Sequence, residues 1–243
     1  MADLKETDKQ HPHPWELSRA DSMLKHILPH LKNSRKTIAD IGCGDLYFSK
    51  QLINKSECTI HAVDTGFDDL SSENENIILH NDIESLNDNT IEIAVLMDVL
   101  EHIEKPHEFL SQVLCKMKTD GLIFITVPAF QHLFSEHDIF LKHYRRYNTS
   151  SLRDDLRVGG LRIEKMFYFY SSLYIIRIIQ FVISKILKSD NMVQNIVMWS
   201  HDEKSIKTRF LRCLLNMDFA INKCLGRFSF FGLSLFAVCS VKK

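Results

Sequence analysis

Acids and histidines set at the ends of apolar runs carry the chemistry that this chain offers. The first is Asp40, inside TIADIGCGDLY (37–47). The run reads as a short buried strand that breaks into a turn at Gly42 and Gly44 and then opens a helix through Leu46, Phe48, Leu52 and Ile53. Two glycines let the backbone turn sharply and leave room for a ligand to lie against it. A phosphate cradle of the G-x-G-x-x-G type would place a third glycine where Tyr47 stands. An acid two residues before the first glycine suits a ligand that carries a positive amine and a sulfonium instead of phosphates.

Two further acids follow in register. CTIHAVD ends in Asp64, about 20 residues after the turn, where a carboxylate can accept both hydroxyls of a ribose. NIILHNDIESL places Asp82 and Ile83 in the loop after a third strand. The richest stretch is TIEIAVLMDVLEHIEKPHEF, a buried fourth strand with Asp98 at its end, then Glu101 and His102, with Pro106 opening a helix. His102 could act as a general base, since imidazole titrates near neutral pH. Its second role would be a core-facing ring beside a helix cap. After a fifth strand, LIFITVPAF, the segment SEHDIFLKHYRRY (135–147) supplies His137, Asp138, His143, Tyr144, Arg145 and Arg146. His137 or His143 is a second candidate base, and Arg145 could hold a carboxylate or phosphate of a substrate. Asp138 and Arg146 are read as ties between loop and sheet.

These motifs, in this order, resemble the class I S-adenosylmethionine (SAM) methyltransferases over roughly residues 14 to 170 and the last strand. The D-x-x-E-H segment is similar to the E-x-x-E-H form of the ubiquinone-pathway O-methyltransferases, with Asp98 in place of the first Glu. A third role for His102, which the resemblance implies for some relatives, joins it with Asp98 and Glu101 around a divalent metal. Leu46 departs from the pattern, because the family often has a third glycine there. The resemblance implies an α/β, Rossmann-like fold with a seven-stranded, mostly parallel sheet in the order 3-2-1-4-5-7-6 and helices on both faces. It also implies that Asp40, Gly42, Cys43, Gly44, Asp64, Thr65, Asp82, Ile83, Met97 and Asp98 line the cofactor. In HPWELSRADSML, Trp15 and Arg19 are candidates for a helix lying over it. The product would be S-adenosylhomocysteine. Tyr144 and Arg145 are expected to meet the acceptor, with His102, His137 and His143 as the catalytic candidates.

The elements that position these groups fit a chain of 243 residues, long enough for one α/β domain with an elaboration. Residues 1–13 read as a flexible tail, whose His11 and His13 are most simply solvated. Residues 14–170 and 229–243 form the SAM-binding domain, and 171–228 a helical insertion before the last strand. SSLYIIRIIQFVISKILK puts Arg177, Ser184 and Lys188 on one stripe. IKTRFLRCLLNMDFAINKCL puts Phe210, Leu211, Leu214, Met217, Ile221 and Leu225 on one side. Arg177 and Gln180 interrupt the first run, so no spanning helix is expected. A lid over a hydrophobic acceptor, a peripheral membrane contact and a homodimer contact all suit the insertion.

Thirty basic and thirty-one acidic residues give a net charge of −1, which argues against a nucleic-acid partner. Six cysteines without a C-x-x-C pair suit a reducing compartment, and the polar N-terminus carries no secretory signal, so a cytoplasmic location is expected. The expected activity is methylation, at oxygen by resemblance, of a small hydrophobic or carrier-bound acceptor such as a lipid, aromatic, polyketide or glycan intermediate. A metal-dependent RNA 2′-O-methyltransferase and a non-catalytic SAM-fold interaction protein are the alternatives.

Overall fold

The structure is a computed structural model that describes residues 14–31, 35–72, 74–187 and 205–241, the side chains of 180–187 and 227 excepted. The N-terminal tail with His11 and His13, the middle of the insertion, and the side chains of Ser184 and Lys188 lie outside the described residues.

Seven strands form one sheet: β1 (Lys36–Ile41), β2 (Cys58–Val63), β3 (Ile77–His80), β4 (Ile91–Met97), β5 (Met117–Pro128), β6 (Leu161–Phe169) and β7 (Ser234–Val241), in the order β3-β2-β1-β4-β5-β7-β6. All pairings are parallel except those of β7, which runs antiparallel between β5 and β6. β1, β2 and β4 end together, since Ile41 pairs with Val63 on one side and Leu96 on the other. That register brings the glycine turn, Asp64 and Asp98 to one edge of the sheet. Open parallel sheets bind ligands at this edge.

Among the described residues, seven helices accompany the strands: α1 (Pro14–Ile27), α2 (Tyr47–Ile53), α3 (Pro106–Lys116), α4 (Glu136–Phe140), α5 (Thr149–Val158), α6 (Ser171–Leu187) and α7 (Ile206–Leu225). Side chains on a strand alternate between faces, so Ile38 enters one core layer while Ala39 and Ile41 enter the other. One layer receives Leu110 and Val113 of α3 with Leu152 and Leu156 of α5. The opposite layer receives Met23 and Leu24 of α1, Phe48 and Leu52 of α2, and Leu215 and Phe219 of α7. The insertion is therefore bound into the fold. Phe219 packs edge-on against Phe167, Phe169 and Phe236 of the sheet at 5.0–5.6 Å between ring centres. Arg212 grips Asp21 of α1 through two hydrogen bonds of 2.5 and 2.6 Å.

Packing also settles which side of α7 is inside. Thr208, Leu215, Phe219 and Asn222 are buried, whereas Phe210, Leu214, Met217, Ile221 and Leu225 of the expected apolar side face outward. Among the described residues no helix is long and apolar enough to cross a membrane. All six cysteines are free thiols.

Candidate functional site

The glycine turn is shaped by what lies behind it. Gly42 has φ +72°, and a Cβ placed on it would lie 2.6 Å from Cγ2 of Val99. Only glycine meets both conditions without strain. The N–H groups of Gly42 and Cys43 both donate to the carbonyl of Val63, at 2.7 and 3.3 Å, which ties the turn to the end of β2. Leu46 takes φ +65° at the cap of α2, a left-handed conformation that costs a residue with a Cβ about 1–2 kcal/mol. Leu46 thus adopts the backbone that a glycine would adopt freely.

Asp64 is the centre of this turn. It is 6% exposed, and its two oxygens accept from the N–H groups of Gly44 (3.0 Å) and Gly66 (2.8 Å). Each carboxylate oxygen has a second lone pair, so a fixed pair of acceptors remains for a vicinal diol. That arrangement fits the ribose of SAM. Asp40 sits deeper, 1% exposed, where it accepts from the Ser49 hydroxyl at 2.6 Å. Burial, and then the negative charges of Asp64 and Asp45, push its carboxyl up to about 7. The Cys43 thiol is likewise raised by burial, and so is an unreactive wall of the turn.

Asp82 accepts from the N–H of Glu84 at 2.9 Å and caps the short turn Ile83–Ser85. It is exposed, as is Thr65, while Ile83 is buried beneath the same loop and Met97 is half-buried. Asp98 follows β4 with φ +53°. Its carboxylate pairs with Arg19 of α1 and accepts from the Thr126 hydroxyl at 3.1 Å. The Tyr170 hydroxyl donates to the carbonyl of Trp15 at 3.1 Å. These two ties hold the first turns of α1 across the ligand edge of the sheet.

A second cluster lies beside the first. Glu101, in the turn Leu100–His102, is fully buried, and neither carboxylate oxygen has a hydrogen-bond partner. Burial first and the charge of Asp98 second raise its carboxyl well above the usual range, which favours the protonated acid. The ring of His102 stands edge-on to that of His143 at 4.5 Å. Burial and that neighbour lower the His102 imidazole below its ordinary value, which keeps it neutral.

His143 is oriented from behind. Its Nδ1 lies 2.9 Å from Oδ1 of Asp138. Asp138 is itself buried and accepts from Arg146 Nε (2.8 Å), Arg146 Nη2 (3.0 Å) and the Ser135 N–H (2.8 Å). Those hydrogen bonds and the guanidinium charge hold its carboxyl far below the carboxylate range despite burial. These bonds all lie within 135–147 and fold the loop on itself, while the expected tie toward the sheet is made by Arg146, whose Nη1 donates to the carbonyl of Ala129 just past β5 at 3.5 Å. The N–H of Tyr144 donates to the carbonyl of Glu101 at 2.8 Å, which draws the loop onto the D-x-x-E-H turn.

The candidates do not all converge. Ligand atoms of Glu101, His102 and His143 lie within 4.8 Å of one another and could hold a metal ion. Asp98, which the sequence places with Glu101 and His102 as a metal set, is instead engaged by Arg19. His137 is exposed on α4. Arg145 donates to the carbonyl of Glu104 at 2.8 Å and lies over the exposed ring of Tyr144. Sequence reasoning missed the aromatic wall next to β5. Phe130 stacks on Tyr168 at 4.8 Å and contacts Tyr174 at 5.1 Å. The signal for Phe130 was its place two residues after Pro128, at the ligand edge of the fifth strand.

Comparisons with known proteins bear on the fold and the family. Residues 16–178 match the methyltransferase domain family. A SAM-dependent methyltransferase from Archaeoglobus fulgidus shares the fold at TM-score 0.54 and 18% identity, over 92% of this chain and 94% of that one. A provisionally assigned sarcosine dimethylglycine methyltransferase from Galdieria sulphuraria gives TM-score 0.58 at 13% identity, over 92% and 86% of the two chains. The Haemonchus contortus phosphoethanolamine N-methyltransferase 2, in complex with SAM, gives TM-score 0.54 at 14% identity; the match spans 91% of this chain and 52% of that one. No curated protein matches the chain. With the seven-stranded order, the glycine turn and the family match over two thirds of its length, the chain belongs to the methyltransferase domain family and is a class I SAM-dependent methyltransferase.

Proposed function

We propose that the enzyme methylates an oxygen of a small hydrophobic or carrier-bound acceptor, with His143 as the base. The observation that carries this reading is the Asp138–His143 pair. A carboxylate on Nδ1 fixes the tautomer and leaves Nε2 with its lone pair, the arrangement that activates a hydroxyl. SAM supplies the methyl group as an electrophilic sulfonium. The acceptor O–H proton passes to Nε2 of His143 as the oxygen takes the methyl, and neutral S-adenosylhomocysteine remains.

The surrounding residues would position the partners. Asp64 would take the ribose hydroxyls against the Gly42–Gly44 backbone, with Asp82 and Ile83 near the adenine. Asp98 and Arg19, already paired, would close the cofactor under α1, Trp15 included. Neutral His102 would line the path between cofactor and base. Phe130, Tyr168 and Tyr174 offer an aromatic face to an apolar acceptor, and Arg145 with Tyr144 would meet an anionic group on it. Holding the acceptor oxygen in line with the sulfonium supplies much of the rate in such a transfer.

The test is turnover of SAM with a panel of hydrophobic phenols and acids, comparing the native chain with His143→Asn. The variant should bind S-adenosylhomocysteine unchanged and lose kcat by about 100-fold or more. Native turnover in the variant would remove His143 from the mechanism.

The orphaned Glu101 carboxyl supports a second reading, in which Glu101, His102 and His143 hold a divalent cation that orients the acceptor oxygen. Glu101→Gln separates the two. A neutral amide replaces a protonated acid with little change, whereas a cation site loses a ligand and its charge. Loss of activity in both Glu101→Gln and EDTA-treated protein would favour the cation.

A further inference from the structure

The outward side of α7 is unlike that of a helix held on a globular surface. Its packed side is partly polar, with Thr208 and Asn222 next to Leu215 and Phe219. At 100° per residue the opposite side falls to Ile206, Phe210, Leu214, Met217 and Ile221. These are 84, 65, 44, 54 and 58% exposed. A surface helix ordinarily shows the reverse, with apolar residues inward and charge outward. The apolar surface continues beyond the helix through Phe230 and Phe231, 71 and 42% exposed, which share a cavity with Ile221 and Leu225, and Ile175, Ile176 and Ile179 of α6 are exposed as well. Isolated exposed apolar residues need no account, but a contiguous face of this extent marks a contact surface. A cavity of about 200 Å³ opens beside it, lined by Ile221, Leu225, Phe230 and Phe231 with Ser171 and Asp218.

Charge identifies the occupant. Residues 206–228 contain Lys207, Arg209, Arg212, Lys223 and Arg227 against one acid, Asp218. Asp218 is half-buried and engaged, accepting from the N–H groups of Ser171 (3.1 Å) and Ser172 (2.8 Å). Arg212 is spent on Asp21. Lys207 and Arg209 remain exposed on the flanks of this face, Lys223 lies nearer the packed side, within electrostatic reach of Lys165 and His26, and α7 shows no exposed acid to match the two flanking cations. A two-fold contact between copies would bring the same cationic face to itself. An apolar face bordered by lysine and arginine instead suits anionic headgroups above acyl chains, with the helix lying in the interface.

We propose that the outward face of α7, together with Phe230 and Phe231, seats the enzyme on an anionic lipid surface and that the acceptor reaches the site from that surface along α6. The second half rests on the methyltransferase reading above. α6 starts one residue after Tyr170, which is bonded to Trp15 over the cofactor edge, and Tyr174 in its first turn contacts Phe130 of the aromatic wall. Asp218 links the two helices, since it lies on α7 and caps the first N–H groups of α6. Phe231, on the outward face, also meets Tyr174 at 5.6 Å. The seat and the rim of the site are therefore parts of one packed unit.

The test is flotation of the full chain with vesicles of phosphatidylcholine, with and without phosphatidylglycerol, alongside calorimetric titration with S-adenosylhomocysteine. Binding should be about 25-fold tighter to the anionic vesicles, from roughly a factor of five for each of two cations, and should weaken with salt. Met217→Glu and Phe230→Glu, both outward-facing, should abolish flotation while the melting temperature and S-adenosylhomocysteine affinity stay unchanged. Equal binding to both vesicles would overturn the proposal, as would no binding to either. In the latter case, a dimer that Met217→Glu dissociates in sedimentation would assign the face to a second copy. A chain that binds S-adenosylhomocysteine but no vesicle refutes the docking alone. A chain that floats but does not bind S-adenosylhomocysteine refutes the supply of acceptor along α6 and leaves the docking in place.

Discussion

Nδ1 of His143 lies 2.9 Å from Oδ1 of Asp138, and Arg146 holds that carboxylate with two further hydrogen bonds of 2.8 and 3.0 Å. Because Asp138 is kept ionised, Nδ1 must donate, and the imidazole is fixed with its free lone pair on Nε2. The pair joins two functions in one contact. It folds the loop 135–147 on itself, and it prepares the residue that would remove the acceptor proton.

Replacing Asp138 should separate those functions. Asp138→Ala leaves Arg146 buried without its partner and should destabilise the fold by roughly 3–5 kcal/mol, read as a lowered denaturation midpoint. Asp138→Asn keeps an acceptor for His143 and should fold. It should lower kcat much more than it raises KM, because the group lost acts on the reacting base. A rise in KM at constant kcat would leave Asp138 a purely structural tie.

Asp64 is the residue on which cofactor affinity should depend most. Two hydrogen bonds from ribose hydroxyls to a carboxylate are worth about 1.5–3 kcal/mol each. Asp64→Asn should therefore weaken S-adenosylhomocysteine by at least about 100-fold in calorimetry. Unchanged affinity in a folded variant would refute the ribose assignment.

Gly42 tolerates no side chain. Gly42→Ala places a Cβ against Val99 in a backbone conformation that alanine disfavours. The cost should be at least about 1–2 kcal/mol from the backbone alone. Adding Val99→Ala removes the contact but not the strain, so the double variant should recover only part of the loss. Full recovery in thermal melts would show that φ +72° is not a constraint.

Asp40 should make stability fall between acid and mildly alkaline pH. Its carboxyl is raised to about 7 in the folded chain from 3.8, so the folded state prefers the proton. That contribution is complete below pH 3.8 and is lost as pH rises through about 7. From pH 5 to 8 the loss should be roughly 2–3 kcal/mol. Asp40→Asn keeps a neutral acceptor for Ser49 and should abolish this slope. Denaturant titrations of both proteins at the two pH values measure it, and parallel pH dependences would show that Asp40 is ionised throughout.

Much of the ligand edge was legible because its chemistry is local. The turn needs glycine at 42, the following strand needs an acid at 64, and both lie within one β–α–β unit whose strand and helix periods can be read directly. The D-x-x-E-H turn was legible for the same reason, since Pro106 and the apolar run before Asp98 fix where strand stops and helix starts. The sheet order came by resemblance and agrees with the structure, which adds that β7 is the strand running antiparallel, between β5 and β6. Leu46 could not be resolved locally, because its left-handed backbone depends on what the turn packs against.

What the sequence determined by itself is the set of short-range features: which residues turn, which alternate, which share one side of a helix. Tertiary structure decided how those sets meet. The sequence separates His143 from Glu101 and His102 by some forty residues, and only the closure of the loop onto the turn brings their ligand atoms within 4.8 Å. Arg19 and Asp98 likewise meet only because α1 folds back over the sheet. Periodicity grouped Phe210, Leu214, Met217 and Ile221, but a period states that residues share a side and not where that side points. The direction of α7 was set by Phe219 and Leu215 entering the core and by Arg212 reaching Asp21. Those long-range contacts outweigh the local pattern, and the apolar side faces outward.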